Sequence, residues 1–487
     1  MPPSSTPAAS SRQQSAASAR WALASLSLTM LLSSLGTSSA NVALPTLAKA
    51  FNASFQDVQW IVLAYLLAIT TVIVSVGRLG DVIGRRRLML AGLFLFTAAS
   101  ALCGAAPALW MLIAARAVQG LGAAIMMALS MAFVGGAIPK ERTGSAMGLL
   151  GTMSAVGTAL GPSLGGVLIA SLGWRSIFFI NLPLGLLALL LAWRYLPVDR
   201  QASKTVLWKK SRTSFDSLGT VLLALTLAVY ALAMTMGRGR PGLLNVALLS
   251  AAVFGVCLFA RVEAKAASPL IRLAMFRNPL LSAGFMMSTL VTTVVMATLV
   301  VGPFYLSGAL ALDAAHVGLV MSAGPIVAAL TGVPAGRLVD RLGAHRTTIA
   351  GLIAMAIGCS ILTVAATRFG AMGYIVPLVV VTAGYALFQA ANNTAVMTGT
   401  GQDQRGVVSG MLNLSRNLGL ITGASVMGAV FALGSEAADI TTALPEAVAT
   451  GMRITFAVAV LLIFAAIAIA SASRALSRRA YLIEVSE

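Results

Sequence analysis

Two short cassettes carry most of the ionisable chemistry that lies against apolar sequence in this chain. Gly77 to Arg87 reads GRLGDVIGRRR and Gly336 to Arg346 reads GRLVDRLGAHR, with G-x-L-x-D-x-x-G in common. An acid set among arginines can pair with a cation or with the positive end of a helix, and the pair breaks when its partner moves away. Glycines let two helices approach around a tight turn. Gly77, Arg78, Asp81, Gly84 and Arg85, with Gly336, Asp340 and Gly343, are therefore read as a polar latch that holds in one arrangement of the protein and opens in another. Catalytic chemistry has no comparable residues. No His, Cys and acid cluster suggests a metal or a nucleophile, and His316 and His345 are read as loop residues. Cys103, Cys257 and Cys359 fall in apolar runs as packing residues, and no G-x-x-x-x-G-K-[ST] loop occurs. The chain is expected to need no cofactor and no metal, and not to be an enzyme.

The elements that must position the latch are membrane spans. The 487 residues are 58% hydrophobic and 10% charged, against about 25% charged in globular domains. Fourteen apolar runs, the first at 22–46 and the last at 454–472, are each long enough to cross roughly 30 Å of hydrocarbon. The net charge of +19 does not call for a nucleic acid, because the basic residues lie in short turns instead of on one solvated face. With the amino terminus in the cytoplasm, 25 of the 33 Lys and Arg fall on the cytoplasmic side, 6 outside and two within spans. That asymmetry places both termini in the cytoplasm. The repeated cassette follows the second span of each half, so the chain is read as two related six-helix bundles around two extra helices. The expected divisions are a disordered tail at 1–20, a first bundle at 21–196, and a basic linker with two spans at 197–278. A second bundle at 279–473 and a cytoplasmic tail at 474–487 follow.

Polar residues inside the spans are the next signal. Arg116 sits about eight residues into its run, where an unpaired cation costs at least ~2.5 kcal/mol on insertion scales. It must face a cavity or a partner, or bond to backbone carbonyls of a neighbouring span. Arg416, flanked by Asn413 and Asn417, is the second such cation. Asn41, Tyr65, Gln119, Met126, Tyr305, Gln389, Asn393 and Asn413 are candidate cavity groups, although each alone also suits interhelical packing. None of the fourteen acidic residues falls in the middle of a span, which favours a neutral or anionic small-molecule substrate over a dication. In the fifth run, Gly157, Gly161, Pro162, Gly165 and Gly166 form a smooth, bend-prone face suited to short-range helix packing.

These residues together resemble the major facilitator superfamily, specifically its fourteen-span drug:proton antiporter branch. Gly77 to Arg87 is similar to the family's loop between spans two and three, and Arg116, Gln119, Gly120 and Gly122 to its R-x-x-Q-G-x-G motif. Gly157 to Gly166 resembles the exporters' G-x-x-x-G-P-x-x-G-G run, and WRSIFFINLPLG (174–185) and NVALP (41–45) also match the branch. The resemblance implies an all-helical membrane fold of two rocking bundles and expulsion of amphipathic compounds in exchange for protons. It further implies roles for Arg116, Gln119 and Gly120 in transport and coupling, and for the fifth-span run in sealing the external side against the second bundle; Arg416 joins the transport and coupling candidates on its own position as the other in-span cation. One position departs from the pattern: Gly36 stands where many members carry an aspartate, nine residues before Pro45. The reading is a bacterial inner-membrane exporter acting as a monomer. An importer or facilitator of a small organic anion is the alternative on the same fold, and a receptor or membrane-embedded enzyme the alternative of another class.

Overall fold

A computed structural model describes residues 7–137, 143–197, 217–236, 242–266, 273–364, 369–398, 405–436 and 440–486; the side chains of Arg78 and Asp81 lie outside that description, as does most of the basic linker. Fourteen of its helices are long and apolar enough to cross a bilayer, and no strand occurs among the described residues. Hydrocarbon offers the backbone no water, so each crossing segment must close its own hydrogen bonds as a helix. In order they are α1 (Pro7–Phe51), α2 (Phe55–Ile83), α3 (Arg85–Ala105), α4 (Leu109–Ala137), α5 (Thr143–Leu172) and α6, which joins Ser176–Phe179 to Asn181–Tyr195. Then come α7 (Ser217–Thr235), α8 (Leu243–Lys265), α9 (Pro279–Gly308), α10 (Ala314–Leu342), α11 (Ala344–Val364) and α12 (Gly370–Thr398). The last two are α13, which joins Arg405–Thr422 to Gly428–Gly434 through a π-helical turn at Gly423–Met427, and α14 (Pro445–Ser486).

Local chemistry sets the helix ends that matter here. Ser54 and Asp57 form a reciprocal capping box at the start of α2, and Asp313 caps α10 by accepting from the His316 N–H at 2.8 Å. The cassettes explain themselves at one glycine each. Gly84 (φ 102°) and Gly343 (φ 82°) are the single residues joining α2 to α3 and α10 to α11, in a left-handed conformation that a Cβ would strain.

Helix pairings repeat between the halves. In the first, α1 packs on α5 and α6, α4 on α2 and α3, and α3 on α6; in the second, α9 packs on α13 and α14, α12 on α10 and α11, and α11 on α14. Each pair maps to its counterpart when eight is added to both helix numbers, so the duplication seen in the cassettes extends to the packing. The halves meet chiefly where α5 lies along α10, and less extensively where α2 meets α13 and α1 meets α9.

The two extra helices are not equivalent. Helix α7 bonds to both halves: the Trp60 indole N–H donates to Thr235 Oγ1 at 3.2 Å, Ser75 and Thr220 share a bond, and the Tyr230 hydroxyl donates to Thr422 at 3.2 Å. Helix α8 packs on α7, with Gly255 against Thr226, and exposes Leu243, Val246, Val253 and Phe254. Such a surface suits lipid.

Two sequence expectations change. Residues 7–20, read as disordered, continue α1 as helix, since Ala, Gln and Arg extend an existing helix at little cost. His316 and His345 belong to the first turns of α10 and α11 instead of loops. Glu263 lies in the last turn of α8 and is buried.

Candidate functional site

Arg116 is fully buried on α4 and is held from three helices. Its Nε donates to the Ile61 carbonyl of α2 at 3.0 Å, and Nη1 donates to the Gly36 carbonyl of α1 at 3.0 Å and to Gln119 Oε1 at 2.5 Å. Gln119 in turn donates to Ser100 on α3 at 2.7 Å. The guanidinium lies 4.1 Å from the centre of the Tyr65 ring, whose hydroxyl donates to the Ser33 carbonyl. Nη2 is buried with no hydrogen-bond partner among the described residues. Backbone carbonyls and a ring therefore carry the charge where a carboxylate could have done so. Gly120 allows this approach, since a Cβ there would stand 2.5 Å from the Tyr65 carbonyl oxygen.

The glycines of α5 divide between two partners. Gly157, Gly161 and Gly165 face α1: they oppose Leu31, Ser38 and Ser39, inside their own half. Only the Pro162 carbonyl and Gly166 face the second half, where they oppose Gly318 of α10, and a Cβ on Gly166 would stand 2.9 Å from the Gly318 Cα. The expectation that the whole run faces the second bundle is thus corrected to Pro162 and Gly166. Four-residue spacing puts each set on its own stripe of the helix.

Other contacts close the same end of the molecule, opposite the cassettes. Gln59 Nε2 of α2 donates to the Ala424 carbonyl in the π-helical turn of α13 at 2.9 Å. Phe55 packs edge-on to Phe304 of α9, with ring centres 4.6 Å apart, and to Phe431 of α13 at 5.4 Å. Gln59, Phe55, Gly318 and the π turn were not singled out from sequence; nothing in their spacing marks an interface. Toward the cassette end the halves diverge. Gly151 on α5, Gly332 and Gly336 on α10 and Gly410 on α13 have open space where a Cβ would go. Asp340 is exposed and makes no ion pair among the described residues, and Arg85 is half-buried. Among the described residues, contacts between the halves therefore gather at the end opposite the cassettes, and open space lies toward the cassette end.

A polar cavity of about 140 Å³ lies in the second half between α9, α12 and α13. It brings together four residues anticipated from sequence, Gln389, Asn393, Asn413 and Arg416, and adds Tyr385, Asn392, Ser288 and Thr292. Tyr385, Gln389 and Asn393 recur every four residues along α12, a spacing that could have identified Tyr385. The remaining cavity candidates are elsewhere. Met126 is core packing, and Tyr305 stacks on Tyr374 with ring centres 6.1 Å apart inside the second half. Asn41 is buried on α1 and donates to the Thr37 carbonyl, while Tyr65 serves Arg116. Tyr65 thus bonds across to α1 and Asn41 Nδ2 within its own helix, while Asn41 Oδ1 is buried with no partner among the described residues, arrangements that the sequence pattern alone does not reveal. Among the described residues no group of His, Cys, Asp and Glu could hold a metal.

Known proteins place this geometry. The family model described as Major Facilitator Superfamily matches residues 26–424. The chain is 32% identical over 389 residues to the uncharacterized transporter YebQ of Escherichia coli (strain K12), covering 80% of this chain and 84% of that one. It is 32% identical to the riboflavin transporter RibZ of Clostridioides difficile (strain 630), covering 83% and 86%, and to the multidrug resistance protein Stp of Mycobacterium tuberculosis (strain CDC 1551 / Oshkosh), covering 80% and 72%. In fold it is similar to a bacterial homolog of the human lysosomal transporter Spinster in an inward-facing, unoccupied conformation, with a TM-score of 0.67 at 16% identity over 94% of this chain and 97% of that one. Duplicated six-helix halves, a fourteen-span membrane body and a match over most of its length make this chain a member of the Major Facilitator Superfamily, a transporter and not an enzyme.

Proposed function

We propose that this transporter exports small amphipathic compounds across the bacterial cytoplasmic membrane by alternating access, as a monomer, in exchange for protons. The observation that carries this reading is the asymmetry of contact among the described residues: backbone-to-backbone packing of Gly166 on Gly318 at one end, and open space beside Gly332, Gly336 and Gly410 at the other. Taken with the positive-inside distribution, which puts both termini and the cassettes in the cytoplasm, the open end faces the cytoplasm, where an exporter loads. Likeness to a protein named for multidrug resistance supports the same direction. Arg116, Gln119 and Gly120 tie α1, α2, α3 and α4 into one body that can rock as a unit. The cassettes supply the latch that forms when the cytoplasmic end closes; Asp81→Asn should leave protein in the membrane and impair transport, and unchanged transport would remove the latch from the mechanism.

The test is a drug and metabolite sensitivity panel on cells with and without the gene, repeated with the proton gradient collapsed. Export that depends on the gene and on the gradient supports the proposal. Uptake into cells instead of efflux overturns the direction, and export indifferent to the gradient overturns proton exchange. A specific observation favours a second reading, facilitation without protons: Arg116 meets the Gly36 carbonyl where many relatives carry an acid.

A further inference from the structure

We infer that the cavity between α9, α12 and α13 is a carboxylate-binding subsite, and that the transported compounds are organic acids whose anionic end docks on Arg416. The two in-span arginines differ in what they touch. Arg116 spends its donors on Gly36, Ile61 and Gln119. Arg416 is half-buried, lines the cavity, and its guanidinium has no hydrogen-bond partner among the described residues. Its backbone, by contrast, is pinned: Thr292 Oγ1 of α9 donates to the Arg416 carbonyl at 3.1 Å, and Thr289 Oγ1 to the neighbouring Ser415 carbonyl at 3.0 Å. The cation is presented from a fixed helix junction into a polar space.

The opposite wall supplies matching groups. The Tyr385 hydroxyl and the Gln389 and Asn393 amides face the cavity and also have no protein hydrogen-bond partner among the described residues. No lining residue is acidic. A guanidinium fork fits a carboxylate with two parallel bonds, and the remaining carboxylate lone pairs can accept from the amides and the hydroxyl. A cationic cargo would be repelled here, and a neutral one would leave the guanidinium desolvated. Size narrows the role further. At about 30 Å³ per water, 140 Å³ holds four or five water volumes, enough for a carboxylate and a few carbons. Phe388 and Met397 also line the cavity and give the apolar part of the substrate a contact surface.

This inference rests on the transporter reading only for its physiological meaning, and binding tests it separately. Purified full-length protein in detergent is titrated by calorimetry with 1-naphthaleneacetate and with the neutral 1-naphthaleneacetamide. The wild type should bind the acid at least about tenfold more tightly than the amide, as a charge-assisted fork requires. Arg416→Gln should erase the preference while keeping amide binding, and Arg416→Lys should retain part of it. Asn393→Leu, which leaves the cation in place, should weaken acid binding several-fold. A wild type that binds the acid no more tightly than the amide, or a preference that survives Arg416→Gln, overturns the subsite. A wild type that lacks the carboxylate preference yet shows intact efflux would sink this inference alone; a wild type that has the preference without gene-dependent efflux would sink only the export proposal.

Discussion

Placing a methyl group at the closed end should tilt the protein toward its other conformation. In Gly166→Ala the new Cβ would stand 2.5 Å from the Ala314 carbonyl oxygen and 2.9 Å from the Gly318 Cα, where ordinary contact begins at 3.4 Å. All the obstructing atoms are backbone, so no side chain can rotate away. Relief requires α5 and α10 to separate by about 0.9 Å at this level. Overpacking of one methyl costs about 1–3 kcal/mol, which corresponds to a shift of about 5- to 150-fold in the balance of two conformations. The higher helix propensity of Ala, worth about 1 kcal/mol, acts in both conformations and cancels. Spin labels at Leu172 and His316, both exposed and flanking the contact, would report the separation in a background with Cys103, Cys257 and Cys359 replaced by Ala. The variant should populate a longer distance that the wild type rarely visits. A folded Gly166→Ala protein with the wild-type distance distribution would refute the claim that this approach holds the end closed.

Other perturbations address the remaining parts. Arg116→Ala strips donors from the Gly36 and Ile61 carbonyls and from Gln119, and at about 1–3 kcal/mol per buried orphan it should lower thermal stability in detergent by several degrees or more. An unchanged unfolding temperature would show that the network is not structural. Gly36→Asp restores the acid many relatives carry; its Cβ would meet Phe96 Cζ at 3.2 Å, tight but relievable by a ring shift, and 3.6 Å from the Tyr65 oxygen. The variant should fold and make efflux more dependent on the proton gradient, so equal dependence in both proteins counts against a coupling role for this position. Asp313 lies outside the spans, and its carboxyl is held below the usual carboxylate range first by the His316 backbone N–H and then by the His316 ring. A depressed folded pKa contributes stability above the ordinary carboxylate pKa and loses it as pH falls through the depressed value. Asp313→Ala should therefore lower the unfolding temperature at neutral pH, with the difference shrinking in acid; a difference that grows in acid would reverse the sign.

What the sequence determined by itself was everything each segment settles alone. A stretch such as 88–106 must be apolar and helical to cross hydrocarbon whatever its neighbours are, so the fourteen spans, the duplicated cassettes and the bias of Lys and Arg were legible. Gly84 and Gly343 were legible too, because a one-residue junction with positive φ constrains residue type locally. Only the tertiary structure decided which in-span polar residues share a space. Lipid tails and a protein interior are nearly equally apolar, so a membrane helix carries little periodic signal of which face turns inward. Tyr305 and Gln389 therefore looked alike in sequence, although one stacks in the second half and the other lines the cavity with Arg416. The same reason hid Gly318. Its need for a missing Cβ comes from Pro162 and Gly166, some 150 residues away, and exists only once α5 and α10 lie together.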